Sequence, residues 1–406
     1  MPPRFKLVAR TGHPSFLDLP WDEPLEEWRS PRIVNLIRGI SRHVVRFVEY
    51  DGGLYALKEL PVRPARREWT LLRRLEDQSL PVVDAVGIVT GRGRDLDAIL
   101  ITRHLEYSLP YRALFAGAAI PDLRTHLLNA LAELLARLHV RGFFWGDCSL
   151  SNALFRRDAG ALTAYLVDAE TGELHGQLSD GQRGYDLEIA RVNIVGELLD
   201  VDAEVGLPPD LDPDETGDEI VERYEALWNE LTRDELFSDD SRYKLEERLR
   251  RLNELGYDVE EIQLDATPEG YRLRLEPHVV EPGHHRHRLL RLTGLDAEEN
   301  QARRMLNDLA RYREAKERRE KRTLPESVVA SEWRQHVFEP TVAAVPEELW
   351  AALPAAEVFH QVLEHRWFLS EAAGKDVGID EAVRSYVASE LPMRRPERVV
   401  LEREDL

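Results

Sequence analysis

The chain has 406 residues, 43% of them hydrophobic and 8% aromatic, which is typical of a folded protein and is long enough for two ordinary domains. The formal net charge of −21 argues against general attraction to nucleic acid or to an anionic membrane surface, because both are polyanions. The single cysteine, Cys148, excludes an intrachain disulfide and a thiolate metal site, as suits a reducing cytoplasm.

The N-terminal stretch MPPRFKLVARTGHPSF contains no apolar region of signal-peptide length. No uninterrupted apolar run of about 18 residues, the length that a membrane-spanning helix needs, occurs anywhere in the sequence. We therefore expect a cytoplasmic protein without a membrane span, whose partners do not include nucleic acid.

The segment from residue 31 to residue 106 predicts a five-stranded antiparallel sheet with one helix. The candidate strands are RIVNLIRG, HVVRFVEY, LYALKEL, PVVDAVGIV and DAILITRHLE, and the turn YDGG joins the second to the third. The helix is PARREWTLLRRLED, in which Trp69, Leu72 and Leu75 recur at near-helical spacing. Pro64 lies near its start, where proline is tolerated.

Helices dominate the remainder of the chain. LRTHLLNALAELLARLH, residues 123–139, predicts a buried amphipathic helix, and GYDLEIARVNIVGELLDV predicts another. The segment 202–218 is rich in proline, glycine and acidic residues, as a linker or long loop is. We therefore expect an N-terminal extension at 1–30, a first domain at 31–210 and a second domain at 211–406.

The second domain is expected to be α-rich with one β-hairpin, at IQLDATPEGYRLRLEP. The stretch GHHRHR, residues 283–288, lacks further ligands at helical or turn spacing, so we favour a solvated basic loop over a metal site. The helix RRMLNDLARYREAKERREKR, residues 303–322, is locally basic in an acidic protein. It predicts either contact with an anionic partner or a plain solvated helix, which the oppositely charged pair Glu314 and Arg318 would support.

Five residues of the first domain occur in an order that suggests a shared site. They are Lys58 at the end of an alternating strand, Glu68 in the following helix, Asp147 and Asn152 in HVRGFFWGDCSLSN, and Asp168 after YLV. Lysine is rare in this chain, because only six of the 54 basic residues are lysines. A lysine at this particular strand position is therefore informative.

A five-stranded sheet with one helix, followed by a helical region, resembles the protein-kinase-like fold. This is an α+β architecture with an antiparallel N-lobe and a helical C-lobe. The resemblance implies that Lys58 contacts the α and β phosphates of ATP and that Glu68 pairs with Lys58. It also implies that Asp147 accepts the proton of the acceptor hydroxyl, and that Asn152 and Asp168 bind Mg²⁺.

Several features depart from the protein-kinase pattern. RGISRHVVR stands in place of the glycine-rich loop that covers the phosphates, so nucleotide contacts there are expected from Gly39 and Ser41. DAE replaces Asp-Phe-Gly, which makes Glu170 either a further metal ligand or a solvated side chain. The stretch between Asp168 and Asp186 is too short for a long activation segment. Asp186 resembles the aspartate that braces the catalytic loop of small-molecule kinases.

The stretches HVRGFFWGDCSLSN, REWTLLRRLED and LPVVDAVGIV together resemble the bacterial Kdo/heptose lipopolysaccharide kinase family and its RIO-like relatives, over roughly residues 30–205. The rest of the chain, with PAAEVFHQVLEHRWFLSE, is similar to a bacterial group in which such a domain precedes a C-terminal domain of unknown function. A shared fold does not establish the substrate.

The resemblance implies an ATP- and Mg²⁺-dependent phosphotransferase whose acceptor hydroxyl belongs to a small molecule, a glycan or a protein. Two alternatives stay open. One is a pseudokinase or nucleotide-binding scaffold that acts through its C-terminal domain, which the missing glycines favour. The other is a kinase-fold enzyme that transfers AMP. The complete set of Lys58, Asp147, Asn152 and Asp168 favours an enzyme over a scaffold.

Overall fold

The computed structural model describes residues 4–35, 43–93, 95–106, 108–109, 111, 123–158, 161–207, 211–232, 235–237, 258–267, 270–278, 284–345, 354–373 and 377–389. The chain divides into two compact units. The first comprises Met1–Phe155, Ala164–Pro282 and Val399–Leu406, and the second comprises Arg156–Thr163 and Gly283–Arg398.

The first unit contains a six-stranded antiparallel sheet. Its strands are β1 (Lys6–Ala9), β2 (Ile33–Val34), β3 (Val44–Tyr50), β4 (Gly53–Leu60), β5 (Ala85–Thr90) and β6 (Ala98–Arg103). They lie in the order β1-β5-β6-β4-β3-β2, so β4, which carries Lys58, has neighbours on both sides. Between β3 and β4, Asp51 and Gly52 both have positive φ, 50° and 79°, as the tightest hairpin turns require.

We expected residues 1–30 to be an extension, but the described part of that stretch, residues 4–30, contributes to this sheet and its core. Strand β1 pairs with β5, from Lys6 opposite Thr90 to Ala9 opposite Gly87. Five further side chains of this stretch are buried in the same apolar cluster as the strands: Phe16, Leu19, Trp21, Leu25 and Trp28. Their partners are distant in the sequence, so local alternation did not reveal them.

Four helices complete the framework of the first unit. They are α1 (Val62–Asp77), α2 (Leu123–Val140), α3 (Asp180–Val205) and α4 (Pro213–Thr232). Helix α3 begins at a capping box, in which the Ser179 side chain accepts the backbone N–H of Gln182 and the Gln182 side chain reaches back to Ser179. Helix α2 lies in the core before the turn that leads to Asp147, and its buried leucines are Leu127, Leu128, Leu131, Leu134, Leu135 and Leu138.

Short strands connect these helices. They are β7 (Ser108–Leu109), β8 (Phe143–Phe144), β9 (Ala153–Asp158), β10 (Ala161–Leu166), β11 (Glu173–Leu174), β12 (Glu235–Phe237), β13 (Asp258–Thr267) and β14 (Gly270–His278). β10, β9 and β7 form one small sheet, β8 pairs with β11, and β12, β14 and β13 form another sheet. The predicted hairpin corresponds to β13 and β14, which pair from Thr267 opposite Gly270.

The division between the units falls at residue 282, whereas the sequence predicted a boundary near 210. Helix α4 lies after the predicted boundary but packs within the first unit. Its Tyr224 hydroxyl lies 2.7 Å from His139 Nδ1 on α2, and its Asp218 accepts from Arg191 of α3 at 2.6 Å. These contacts are tertiary, and a composition shift cannot show them.

Apart from the strand residues within Arg156–Thr163, the described part of the second unit is helical. Its elements are α5 (His284–Thr293), α6 (Glu299–Glu320), α7 (Glu326–Trp333), a π-helical turn (Arg334–Phe338), α8 (Glu339–Ala343), α9 (Ala355–Ala373) and α10 (Ile379–Ser389). The rings of Trp333, Phe338 and Phe359 meet at centroid distances of 5.1 to 6.0 Å in its core. The helix predicted over 303–322 corresponds to α6. The run RYKLEERLRRLNELG, residues 242–256, also has the apolar spacing that predicts a helix, but it lies outside the described residues.

The expectation of a basic loop at 283–288 is wrong, because the stretch forms the first turn of α5 from His284 onward. The carboxylate of Glu299 accepts the backbone N–H groups of His285 at 3.0 Å and Arg286 at 3.1 Å. This carboxylate satisfies donors that a helix start leaves without partners in the helix, and it comes from a later helix. Nothing local in the sequence signals it.

Candidate functional site

Lys58 lies on β4 with its ammonium group among three carboxylates. Its Nζ donates to Asp168 Oδ2 at 2.6 Å and to Glu68 Oε2 at 3.1 Å, and it lies 3.5 Å from Glu170 Oε2. The Glu68 side chain, on α1, is only 1% exposed. The structure thus brings together three of the predicted site residues, and Glu170 joins them. We call these four residues the lysine cluster.

Burial and the neighbouring charges both shift the pKa values of this cluster. Burial raises the pKa of Glu68 to about 8, the negative charge of Asp168 adds to the effect, and Lys58 opposes it. Burial also lowers the pKa of Lys58, but the charges of Glu68 and Asp168 outweigh it, so the pKa of Lys58 lies above its ordinary value. Lys58 is therefore positively charged, and its carboxylate partners outnumber it.

Asp168 is fixed by the turn that follows β10. Its Oδ1 accepts the backbone N–H of Glu170 at 2.9 Å, and its carbonyl oxygen accepts the Trp145 indole N–H at 3.0 Å. Gly172 closes the turn where a side chain would not fit, because an added Cβ would lie 2.3 Å from the Phe143 ring. The segment DAETG is consequently tied to the turn that carries Asp147.

Asp147 is held by two amide groups. Asn152 Nδ2 donates to Asp147 Oδ2 at 3.2 Å, and Asn193 Nδ2, from α3, donates to Asp147 Oδ1 at 3.1 Å. The carbonyl of Asn152 accepts the N–H of Val167 at 3.0 Å, which ties this loop to the residue before Asp168. We call residues 145–152 the Asp147 loop. The Asn152 and Asn193 side chains are both neutral donors to this carboxylate.

Asp186, the first polar residue on the inner face of α3, braces the start of this loop. Its carboxylate accepts the backbone N–H groups of Trp145 at 2.7 Å and Gly146 at 2.8 Å, and it is fully buried. His139 Nε2 lies 3.0 Å from the same carboxylate. Burial lowers the pKa of His139, so this ring favours the neutral form. Asp186 thus fixes the backbone at the start of the Asp147 loop.

Sequence reasoning missed two residues that also lie on α3. Glu197 accepts the backbone N–H groups of Leu150 at 2.7 Å and Ser151 at 3.0 Å, and Asn193 contacts Asp147. Asp186, Asn193 and Glu197 are spaced by seven and four residues, which places them on one face of a helix. Polar residues on a helix face that also carries buried Ala190 and Ile194 were the signal that could have found them.

His43 is a further residue that the sequence did not indicate. Its Nε2 lies 2.8 Å from Glu170 Oε2, which connects the residue before β3 with the lysine cluster. Gly39 and Ser41, predicted to contact the nucleotide, lie outside the described residues. Glu170 is therefore a half-buried member of the site rather than a solvated side chain.

The donor atoms of the site fit a hard divalent cation. Within the part of the chain that the structure describes, one carboxylate atom each of Glu68, Asp168 and Glu170 lie within 4.8 Å of one another. Carboxylate oxygens are the ligands that Mg²⁺ prefers. Asn152 directs its Nδ2 to Asp147, so its Oδ1 is the end of the amide that could accept a cation. Lys58 contacts the same three carboxylates, so an incoming cation would compete with the ammonium group.

Two family models match the chain. Residues 51–189 match the lipopolysaccharide kinase (Kdo/WaaP) family, and residues 226–391 match a domain of unknown function, DUF4032. The predicted resemblance is confirmed in both parts, and so is the α+β, kinase-like fold class with its antiparallel sheet and helical region. The first match spans Lys58, Glu68, Asp147, Asn152, Asp168 and Asp186.

The solved structure of WaaP in complex with acyl carrier protein aligns with 62% of this chain and 99% of its own, at 18% identity and a TM-score of 0.38. No curated protein matches the chain. Over the described residues, no helix combines the length and the apolar character that crossing a membrane requires.

Proposed function

We propose that the chain is an ATP- and Mg²⁺-dependent phosphotransferase that acts on a hydroxyl group of a small molecule, a glycan or a protein. The family match supports a kinase-like phosphotransferase. The observation that carries the finer proposal is the lysine cluster, in which Lys58 contacts Glu68 and Asp168 at 3.1 and 2.6 Å while an oriented Asp147 lies on the adjoining loop.

Lys58 is the group that would neutralise phosphate charge. Glu68 is buried on α1 and accepts a hydrogen bond from Lys58 Nζ at 3.1 Å, which fixes the position of the ammonium group. A fixed cation requires little reorganisation when charge develops on a transferring phosphoryl group, which is how such sites lower the barrier. Positioning, rather than covalent chemistry, is what this reaction asks of the protein.

Asp168, Glu170 and Asn152 are the residues that would hold Mg²⁺. Bound there, the ion would neutralise charge on the β and γ phosphates. Glu170 N–H and Trp145 indole N–H fix the carboxyl and carbonyl oxygens of Asp168, so this residue is positioned before any ligand arrives. Preorganised ligands of this kind favour binding because less conformational entropy is lost.

Asp147 would orient the acceptor hydroxyl and take its proton. Both of its carboxylate oxygens accept amide N–H groups, from Asn152 and Asn193, which direct the carboxylate. Asp186 and Glu197 hold the backbone on either side of it through four N–H groups. The proposal therefore assigns Asp147 the role of general base.

A scaffold that binds nucleotide without transferring phosphate is the second candidate. It is favoured by the single glycine in RGISRHVVR and by the three carboxylates within 3.5 Å of Lys58, which already satisfy its charge. An enzyme that transfers AMP would use the same set of side chains, and no geometry of the described residues separates it from a phosphotransferase.

Isotopic labelling distinguishes the three functions. The purified full-length chain would be incubated with cell lysate, Mg²⁺ and ATP labelled either at the γ or at the α phosphate. We expect label from the γ phosphate in an acceptor and none from the α phosphate, with loss of transfer when EDTA removes the metal. Label from the α phosphate would mean AMP transfer. ATP binding with no labelled acceptor and no ATP hydrolysis would favour the scaffold.

A further inference from the structure

An open groove in the second unit is not used by the proposed function. It lies along helix α6 and is bordered by α9 and the π-helical turn, and its volume is about 830 Å³. Sites for small organic ligands have volumes of roughly 300 to 1,000 Å³ and combine an apolar lining with a few polar groups. The groove has the size of such a site, and its lining has the same mixture.

Three arginines line the groove. Arg304 and Arg311 are seven residues apart on α6 and therefore project from the same face two turns apart, and Arg366 comes from α9. Arg311 is exposed, and none of the hydrogen bonds and ion pairs found among the described residues involves it. Only two carboxylates, Asp308 and Glu364, share the lining. The groove is therefore locally cationic in a chain whose net charge is −21.

The groove's buried histidine holds Arg304 without cancelling its charge. Arg304 Nη1 lies 3.0 Å from Nε2 of His360, whose surface is only 4% exposed. Burial lowers the pKa of His360, and the positive charge of Arg304 lowers it further. The charges of Glu357 and Glu364 raise it, but they do not outweigh these two effects. A neutral imidazole nitrogen accepts the guanidinium N–H, so Arg304 is positioned and remains available to an anion.

One of the two carboxylates accepts a hydrogen bond from the core of the unit. Asp308 Oδ2 accepts the indole N–H of Trp333 at 2.8 Å, a contact with the buried core of the unit. The apolar part of the lining is formed by Val337, Leu363 and Tyr312, which are partly buried and pack against the same core. A ligand in the groove would meet guanidinium groups along α6 and an apolar surface beside them.

We propose that this groove binds a small organic anion, in which a phosphate monoester or a carboxylate is attached to an apolar body. The anionic head would contact Arg304 and Arg311, because guanidinium groups pair with both kinds of oxyanion through charged hydrogen bonds. The apolar body would cover Val337 and Leu363. The site is separate from the residues proposed for phosphoryl transfer, and its occupation does not depend on that proposal.

The test uses the full-length chain and four defined probes: 1-naphthyl phosphate, 1-naphthoate, 1-naphthol and inorganic phosphate. Calorimetric titrations would be run in a Lys58→Ala background, which weakens binding of phosphate groups at the proposed nucleotide site. We expect one or both naphthyl anions to bind, and both 1-naphthol and inorganic phosphate to bind at least about 10-fold more weakly, since each lacks half of the recognised chemistry.

Charge reversal locates the site. Arg311→Glu should weaken binding of the naphthyl anion at least about 10-fold, whereas Arg319→Glu, an exposed position further along α6 and outside the groove, should leave it unchanged. Both positions are exposed, so we expect both variants to keep the wild-type melting temperature. Equal affinities in the two variants, equal binding of 1-naphthol, or no binding of either anion at millimolar concentration would overturn the proposal. The anion that binds more tightly identifies the head group.

Discussion

Lys58 and Asp147 both lie in the first unit and both are charged, but the groups that hold them differ. The Lys58 ammonium is held by carboxylates, at 2.6 Å from Asp168 and 3.1 Å from Glu68. The Asp147 carboxylate is held by the neutral amides of Asn152 and Asn193, at 3.2 and 3.1 Å. In the first region a cation contacts carboxyl groups, and in the second a carboxylate accepts hydrogen bonds from neutral amides.

Because of this difference, we expect substitutions in the two regions to affect different properties of the protein. In the lysine cluster, removing one charge changes the electrostatic balance of those that remain, because Glu68 is buried and its carboxylate neighbours are close. Around Asp147, amide donors set the direction of the carboxylate and leave its charge in place. We therefore expect changes in the lysine cluster to alter nucleotide and metal binding, and changes at Asp147 to alter transfer.

The largest effect is expected for Asp147→Asn. An amide keeps the shape of the side chain but cannot accept the hydroxyl proton, so transfer should fall by roughly 10² to 10⁴ while Mg²⁺-ATP binding stays close to wild type. Turnover and calorimetric affinity, measured on the same preparation, would show the two effects separately. Asp180→Asn, at a side chain that is 97% exposed, is the matched control. Unchanged transfer in Asp147→Asn would remove the general-base role.

Asp168→Asn should weaken metal binding at the lysine cluster. The substitution removes a negative charge from the proposed Mg²⁺ ligands, and we expect the Mg²⁺-dependent part of ATP affinity to fall about 100-fold. ATP binding would be measured with Mg²⁺ and with EDTA. Glu173→Gln, an exposed carboxylate in the following strand, serves as the control. If Mg²⁺ strengthened ATP binding equally in Asp168→Asn and wild type, Asp168 would not hold the metal.

Lys58→Ala should weaken ATP binding about 10-fold, because one charged contact to the phosphates is lost. The same substitution should strengthen Mn²⁺ binding in the absence of nucleotide, since the ammonium no longer competes for Asp168 and Glu170. Opposite changes in the two affinities would be specific to this cluster.

Lys6→Ala, at an exposed position of β1, is the control for Lys58→Ala because it removes a lysine from the same sheet. Nucleotide affinity would be followed by the increase in melting temperature on adding ATP. Should ATP raise the melting temperature of Lys58→Ala as much as that of wild type, Lys58 would have no part in holding the nucleotide.

The sequence predicted the parts of the fold that depend on local pattern. The five strands of the sheet, the β13–β14 hairpin and helix α6 each follow from alternation or helical spacing within a short window. It did not predict β1, because pairing Lys6 with Thr90 requires knowledge of which distant segment lies alongside. It also predicted a loop at 283–288 where the structure has a helix from His284, because the carboxylate that caps this helix, Glu299, comes from a later helix.

The candidate site follows the same division. Lys58, Glu68, Asp147, Asn152 and Asp168 occur at spacings and strand positions that can be read directly from the sequence. Asn193, Glu197 and His43 could not be read in this way, because their role depends on which face of α3 points to the Asp147 loop and on where β3 begins. Residues that hold the site in position are thus the harder part to predict.

A carboxylate in the second unit can be compared with Asp147. Asp158, in the short segment Arg156–Thr163, is 1% exposed and accepts the backbone N–H groups of Asn300 at 3.0 Å and Gln301 at 2.8 Å, at the start of α6. Like Asp147, it is held by neutral donors. Unlike Asp147, it is fully buried, and burial raises its pKa to about 7, with a further contribution from the charge of Glu298.

The smallest predicted effect follows from this pKa. Because the pKa of Asp158 is higher in the folded than in the unfolded chain, the folded state binds the proton more tightly, and the stability this gives is present at low pH and is lost as the pH rises through about 7. From about pH 6 to about pH 8 the free energy of unfolding of wild type should therefore fall by about 1 kcal/mol more than that of Asp158→Asn. Hydrogen exchange at the first turn of α6 would report this locally, since the two units need not unfold together.

Asp296→Asn, at an exposed carboxylate of the same unit, should show the same pH dependence as wild type. If Asp158→Asn showed the same pH dependence as wild type, Asp158 would be ionised throughout this range, and its two N–H donors would outweigh its burial.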